Sequence, residues 1–295
     1  MKTEVGKGKY VIAVSGGVDS VVLLDLLVKQ AKSQDIELII AHFDHGIRER
    51  SASDRRFAAH LAEKYGLEFF YEEGNLGPNT SEAVAREKRY KFLNKIKEDN
   101  KAKAIITAHH QDDLIETAAI NIIRGTGRKG LSSLSNHSEL LRPLLMYSKA
   151  EILDYASQNK LQWREDETNT DQTYLRNFVR HTLLKDLSDV QKHRLLGIIR
   201  QSGVRNEEID NMLDELFLRD GELSRSEFNR LGHEVAKEVV TGWLRKHGIS
   251  SDKQAIDKIV TGLKTAKDGK KIEVSSTQYF ILQKGIIRMN NGGAV

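Results

Sequence analysis

Three short stretches concentrate side chains able to do chemistry. The first is Ser15-Gly16-Gly17-Val18-Asp19-Ser20. Adjacent glycines let backbone N–H groups approach an anion, Ser15 and Ser20 add hydroxyl donors, and Asp19 offers a carboxylate for a magnesium ion on a diphosphate. The second is His109-His110-Gln111-Asp112-Asp113-Leu114-Ile115-Glu116-Thr117, which crowds Asp112, Asp113 and Glu116 onto the start of one helix. Carboxylates there are favoured by the helix dipole, but three on one turn repel each other unless a cation, magnesium or a substrate ammonium, sits nearby. The third is His42-Phe43-Asp44-His45-Gly46-Ile47-Arg48. Its two histidines and aspartate lack the i, i+4 spacing of a helical zinc site, so Asp44 and Arg48 are read as contacts for polar substrate groups and one histidine as structural.

The elements that must position these stretches follow from hydrophobic periodicity. Strand-like runs occur at Tyr10–Ser15, Glu37–Asp44, Glu68–Glu72 and Lys103–Ala108, and helical patterns at Val18–Ser33, Ala52–Tyr65, Ser81–Asn100 and Asp112–Arg124. Alternation of this kind predicts an α/β fold with a parallel, Rossmann-like sheet. Ligands of such sheets bind beyond the carboxyl ends of the strands, which is where all three polar stretches fall. The first stretch then reads as strand, tight turn and helix N-terminus, the outline of a phosphate cradle. It is neither a Walker A loop nor a dinucleotide fingerprint, and by composition alone two glycines and a capping serine would also suit an ordinary strand-to-helix turn.

The third helix, with Asn79 or Thr80 as its expected N-cap, places Glu82, Arg86 and Arg89 on one face; by spacing alone that is an exposed ion-pair ladder. Ser148-Lys149-Ala150-Glu151 reads as a capping box opening a helix to about Asn159. The polar string from Trp163 to His181, dense in Arg, Asn and acids, suits a substrate surface. Helical periodicity fills 188–247, and short β runs at Lys271–Ser275, Tyr279–Gln283 and Ile286–Met289 predict a small antiparallel sheet.

Composition narrows the class. Hydrophobic residues make up 39% and charged residues 30%, and mean hydropathy is −0.48, as expected of a globular protein with two domains. No apolar run approaches the roughly 18 residues of a spanning helix, and the first residues lack a signal-peptide pattern, so a cytoplasmic location without membrane contact is expected. There are 0 cysteines, which removes persulfide, thiolate and disulfide chemistry from this chain. Residues 245–295 hold ten Lys/Arg against four Asp/Glu, a basic end that suits an anionic partner such as nucleic acid, or simply a solvated basic surface.

Ser15–Ser20, His42–Arg48, Glu82–Tyr90, His109–Thr117, Arg142–Leu145 and Trp163–His181, in that order, resemble the motif series of the tRNA(Ile)-lysidine synthases. Those enzymes are a branch of the N-type ATP pyrophosphatases, and the chain looks like a short form. The resemblance covers about the first 185 residues and weakens beyond them. It implies ATP-dependent adenylation of C2 of the wobble cytidine in a CAU anticodon, followed by displacement of AMP by the ε-amine of free L-lysine, with ATP and Mg2+ required. It further implies that Ser15, Gly16, Gly17, Val18, Asp19, Ser20 and His42 hold the nucleotide, with Asp19 and Asp113 toward the metal. Asp44, Arg86, Asp112, Asp113 and Glu116 would form the catalytic set. Arg48, Arg89, Arg128, Arg176, Asn177 and Arg180 would face tRNA or lysine.

The attacking amine must lose a proton, for which Asp44 and Asp112 are the two acceptors offered. The implied layout is a catalytic domain over 1–187, a helical segment over 188–247 and a small basic α+β part over 248–295; a homodimer is compatible with it. The alternatives are another ATP pyrophosphatase acting on tRNA or forming amides, and a non-catalytic nucleotide- or tRNA-binding module. A binder gains nothing from three carboxylates beside an anion, so the acidic triad favours catalysis.

Overall fold

The first apolar run forms β1 (Gly8–Ala13), the middle strand of a five-stranded sheet. Around it are α1 (Val18–Ala31), β2 (Ile36–Asp44), α2 (Ser51–Tyr65), β3 (Glu68–Glu73), α3 (Glu82–Asp99), β4 (Ala104–Ile106), α4 (Gln111–Ile123), β5 (Leu140–Leu141) and α5 (Lys149–Gln158). The strand order is β3-β2-β1-β4-β5, with every pairing parallel. This computed structural model describes residues 1–44, 46, 51–74, 76–77, 80–134, 136, 138–164, 175–217, 221–249 and 251–291. They divide into two units, Met1–Gly203 and Val204–Val295.

Both faces of the sheet are covered, which is why its strands read as continuous apolar runs. Tyr10, Ile12, Leu38, Ile40, Ala104 and Ile106 pack on one side with Val21–Leu24, Leu26 and Leu27 of α1 and with Ile152 and Ala156 of α5. The alternate residues Val11, Ile39, Ala41 and Ile105 pack on the other with Phe92, Leu93 and Ile96 of α3. β1 has β2 on one side and β4 on the other, so the order reverses at the crevice between β1 and β4. Such a switch point is where open α/β sheets bind ligands, and the loops leaving both strands carry polar stretches picked out above.

Two strands were not legible. β5 is only two residues long, and β6 (Glu222–Ser224) follows Gly221 at φ +70°; both are too short for an alternating pattern to show. The N-cap of α3 is Ser81, not Thr80: its hydroxyl accepts from the Val84 N–H. Asn79, the other expected cap, lies outside the described residues.

After α5 come α6 (Leu175–Phe178), a π-type turn at Val179–Leu183 and α7 (Asp189–Phe217), whose residues fall in both units. The second unit also holds α8 (Arg225–Arg230), α9 (His233–Lys246), α10 (Lys253–Thr265) and an antiparallel sheet of order β6-β9-β8-β7. Its last strands are β7 (Lys271–Glu273), β8 (Gln278–Gln283) and β9 (Ile286–Asn291). On α9, Ala236, Val239, Val240, Trp243 and Leu244 recur at helical spacing and face the core, where Trp243 meets Phe280 edge-on at 4.9 Å. Asp252 caps α10, its carboxylate accepting from Ala255 N–H at 2.8 Å. No helix among the described residues is long and apolar enough to cross a membrane.

Candidate active site

The loop between β1 and α1 is held open by its own side chains. Gly16 lies at φ +95°, a conformation that an L side chain rarely adopts, and a Cβ there would touch Phe57 at 3.4 Å. Ser20 accepts from the Gly16 N–H at 3.2 Å and donates to the Gly17 carbonyl at 2.9 Å, and Ser15 donates to Ser20 at 3.3 Å. From β2, buried His42 donates through Nδ1 to the Val14 carbonyl at 2.8 Å, and the Gly16 carbonyl accepts from Arg164 N–H at 2.9 Å. The loop is therefore anchored from both sides, with the first N–H groups of α1 facing the crevice.

Across the crevice, α4 starts one residue after His110. The His110 N–H donates to Asp113 Oδ2 at 2.9 Å, so that Asp113 caps its own helix. The His110 ring is the meeting point of three carboxylates: Asp112 at 3.5 Å, Asp113 at 3.6 Å and Asp19 of the loop at 3.9 Å. Burial works against charge on this imidazole, but the carboxylates outweigh it and raise its pKa. The same contact lowers Asp112 well below the usual carboxylate range, burial opposing, with further help from the Lys149 N–H (2.9 Å) and from Lys192. Neighbouring His109, paired with Thr107 at 2.8 Å, goes the other way: burial pushes it down to about 3, Asp113 opposing and Arg142, Arg89 and Arg86 reinforcing.

The charge problem of the acidic turn is met largely from within the chain. Arg180 grips the buried Glu116 through Nε (2.6 Å) and Nη2 (2.9 Å) and lies 3.8 Å from Asp113. Arg176 is 3.9 Å from Glu116 and donates to Thr117 at 3.3 Å. Lys149, at the start of α5, places its ammonium 2.6 Å from Asp19. For Glu116 the nearby cation is within the chain, Arg180, in addition to the magnesium or substrate ammonium expected for the triad.

These groups surround one cavity of about 710 Å3. Ser15, Gly17, Val18, Asp19, Asp112, Asp113, Glu116 and Arg180 line it together. Trp163 and Arg164, expected on a substrate surface, line it too, as do Lys149, Lys185 and Lys192, which sequence reasoning missed. The capping box located the backbone of Lys149 but gave no sign that its side chain reaches the loop.

Other expected residues lie outside that lining. Asp44, at the end of β2, is buried and accepts from Gly46 N–H at 2.8 Å. Arg86 and Arg89 stack on Tyr90 at 4.8 and 5.3 Å, and burial lowers the pKa of Arg89. Arg128 begins a short helical turn after α4, and Asn177 is on α6. Arg48 and His45 lie outside the described residues, as do positions 165–174 of the string from Trp163 to His181.

Residues 1–187 match the family model described as the PP-loop domain. The chain belongs to the PP-loop family. Among its curated relatives are the tRNA(Ile)-lysidine synthases of Thermotoga maritima, 38% identical over 62% of this chain and 47% of that one, and of Streptococcus sanguinis, 32% identical over 87% and 60%. That of Persephonella marina is 28% identical over 94% of this chain and 64% of its own length. The chain spans about half the length of the Thermotoga relative. Among solved structures, a U34-tRNA thiolase of Methanococcus maripaludis shares the fold, with a TM-score of 0.55 at 20% identity over 67% of this chain and 73% of that one.

Membership in the PP-loop family implies use of ATP, and the loop fits it: free helix N–H groups, an exposed serine and a glycine conformation that keeps side chains out of the cradle. The donor set also fits magnesium. That ion takes oxygen ligands and commonly needs only one or two carboxylates beside nucleotide phosphates, which Asp19, Asp112 and Asp113 can supply. No ready-made cluster of three or more metal ligands occurs among the described residues.

Proposed function

We propose that this PP-loop protein acts as a tRNA(Ile)-lysidine synthase, joining free L-lysine to C2 of the wobble cytidine of a CAU-anticodon tRNA(Ile) and converting ATP to AMP and diphosphate. The observation that carries this reading is the single cavity shared by a phosphate cradle and the acidic start of α4. A nucleotide-binding module needs only the first. The curated relatives support the choice of tRNA and lysine.

In this reading the cradle and the N-terminus of α1 bind the ATP phosphates; Asp19 and Asp113 would hold Mg2+, which would neutralise phosphate charge. The O2 atom of the cytidine forms a bond to the α-phosphorus while the bond to the leaving diphosphate breaks. Arg86 and Arg180 stabilise the developing charge. The ε-amine of lysine then bonds to C2, the C–O bond to AMP breaks, and one amine proton passes to a carboxylate. Asp112, on the cavity wall, suits holding the incoming ammonium, and Asp44 and Asp112 are the two candidate acceptors of that proton. Arg48, Arg89, Arg128, Arg176 and Asn177 serve the tRNA and lysine.

Residues 1–187 make up the catalytic domain; the span 188–247 is mostly helical but not a segment of its own, since from Val204 it belongs to the second unit, where β6 pairs with β9. The basic residues of 248–295 add affinity for tRNA, and the reaction takes place in the cytoplasm. A sulfur-inserting reaction of the kind named for the thiolase is disfavoured, because the chain has no cysteine to carry the sulfur. AMP release from purified protein tests the proposal: it must require ATP, lysine and unmodified CAU-anticodon tRNA(Ile) together. AMP formed equally well without lysine or without tRNA would contradict it.

A further inference from the structure

Lys149 is tied to the site at both ends, by its backbone to Asp112 and by its ammonium to Asp19. The Lys149 N–H donates to Asp112 at 2.9 Å, Gln111 N–H donates to the Tyr147 carbonyl at 3.0 Å, and the Gln111 side chain donates to the Met146 carbonyl at 2.6 Å. Three hydrogen bonds thus clamp the segment before α5 onto the first turn of α4. The helix does not need them for capping, since Ser148 and Glu151 already form a reciprocal box. What the clamp fixes is the root of one long side chain, which crosses the crevice to Asp19 and remains 40% exposed.

The position of that ammonium matters. Asp19 is the second residue of α1, beside the N–H groups that suit phosphate, and its carboxylate is the loop's own oxygen donor for a divalent ion. A lysine bonded there occupies the place of the cation. An ammonium has three donors on a flexible stem and serves well as a point charge on phosphate, and a partly exposed ion pair costs little to open.

We infer that Lys149 is a positioning residue for the nucleotide phosphates. Without nucleotide it holds Asp19 in place; when a nucleotide with its magnesium enters, the ammonium transfers from the Asp19 carboxylate to phosphate oxygens and releases that carboxylate to the metal. This rests on the ATP-dependent reading above and adds to it a residue outside the glycine loop and the acidic triad.

The test is equilibrium binding of a non-hydrolysable ATP analogue to the full chain, titrated against Mg2+, for wild type, Lys149→Gln and Lys149→Arg. Loss of one charge-assisted contact to phosphate should weaken Lys149→Gln about tenfold at saturating Mg2+. The half-saturating Mg2+ concentration should fall, because Asp19 no longer has a competing cation. Lys149→Arg should recover most of the affinity, which separates loss of charge from a folding defect. Wild-type affinity and an unchanged Mg2+ midpoint in Lys149→Gln would overturn the proposal alone. A wild-type chain that binds no nucleotide would overturn it together with the ATP-dependent reading.

Discussion

Arg180 meets Glu116 as a two-pronged pair, Nε to Oε1 at 2.6 Å and Nη2 to Oε2 at 2.9 Å, with the carboxylate buried and the guanidinium 34% exposed. The contact joins the turn after α6 to the second turn of α4 and so closes one wall of the cavity. Removing one partner of a buried pair leaves an uncompensated charge, typically at a cost of about 3–5 kcal/mol. Because Arg180 keeps some solvent, Glu116→Ala should cost about 3 kcal/mol in urea unfolding, and Glu116→Ala/Arg180→Met less than the two single changes added together. Additive losses would show that the pair is not coupled.

Gly16 and Gly17 should respond differently to alanine. Gly16→Ala forces a side chain into a positive-φ position and toward Phe57, costing about 1–2 kcal/mol of stability and the shape of the cradle. Gly17, at φ −69°, accepts alanine without backbone strain. Thermal unfolding and nucleotide binding of the two variants should therefore separate, with Gly16→Ala the weaker in both.

Asp113→Asn should leave tRNA binding near wild type and abolish turnover. The amide oxygen can still accept from the His110 N–H, so α4 keeps its cap while the negative charge beside Arg180 and His110 is lost. Full activity in this variant, measured as AMP release, would remove Asp113 from the catalytic set.

The two histidines make opposite pH predictions. His109 is depressed to about 3 by burial, so it resists a proton that the unfolded chain takes up below its ordinary value of about 6.5; stability falls as pH drops from there toward 3. His110 is raised by its carboxylates, so its contribution is full below about 6.5 and fades as pH rises through the raised value. Asp112, depressed, adds stability that is lost only as pH falls below the ordinary carboxylate range near 4. His109→Gln should therefore lessen the acid loss between pH 6.5 and 5 by on the order of 1 kcal/mol, and His110→Gln should not. Denaturant unfolding at the two pH values checks the sign.

Much of this was legible because the signals were local. The cradle is a contiguous string, the acidic turn lies within one helix, and the capping box at Ser148 fixed the start of α5. What was not legible depends on contacts distant in sequence. Nothing in the spacing of Glu116 and Arg180, 64 residues apart, shows that one neutralises the other. Lys149 reaches Asp19 across 130 residues for the same reason. His42 gave a partial signal: one of the two histidines near the end of β2 was expected to be structural, and the bond from His42 to the Val14 carbonyl supports the loop.

The central claim is a lysine joined to one base, and the most direct measurement is of that base. The protein is incubated with ATP, Mg2+, labelled L-lysine and unmodified CAU-anticodon tRNA(Ile), and the tRNA is digested to nucleosides. Label in the nucleoside from the wobble position, absent when ATP is omitted, is the result expected. A tRNA left unlabelled while ATP is converted to AMP, or label at another position, would contradict the assignment of lysine and the wobble cytidine as the substrates of this site.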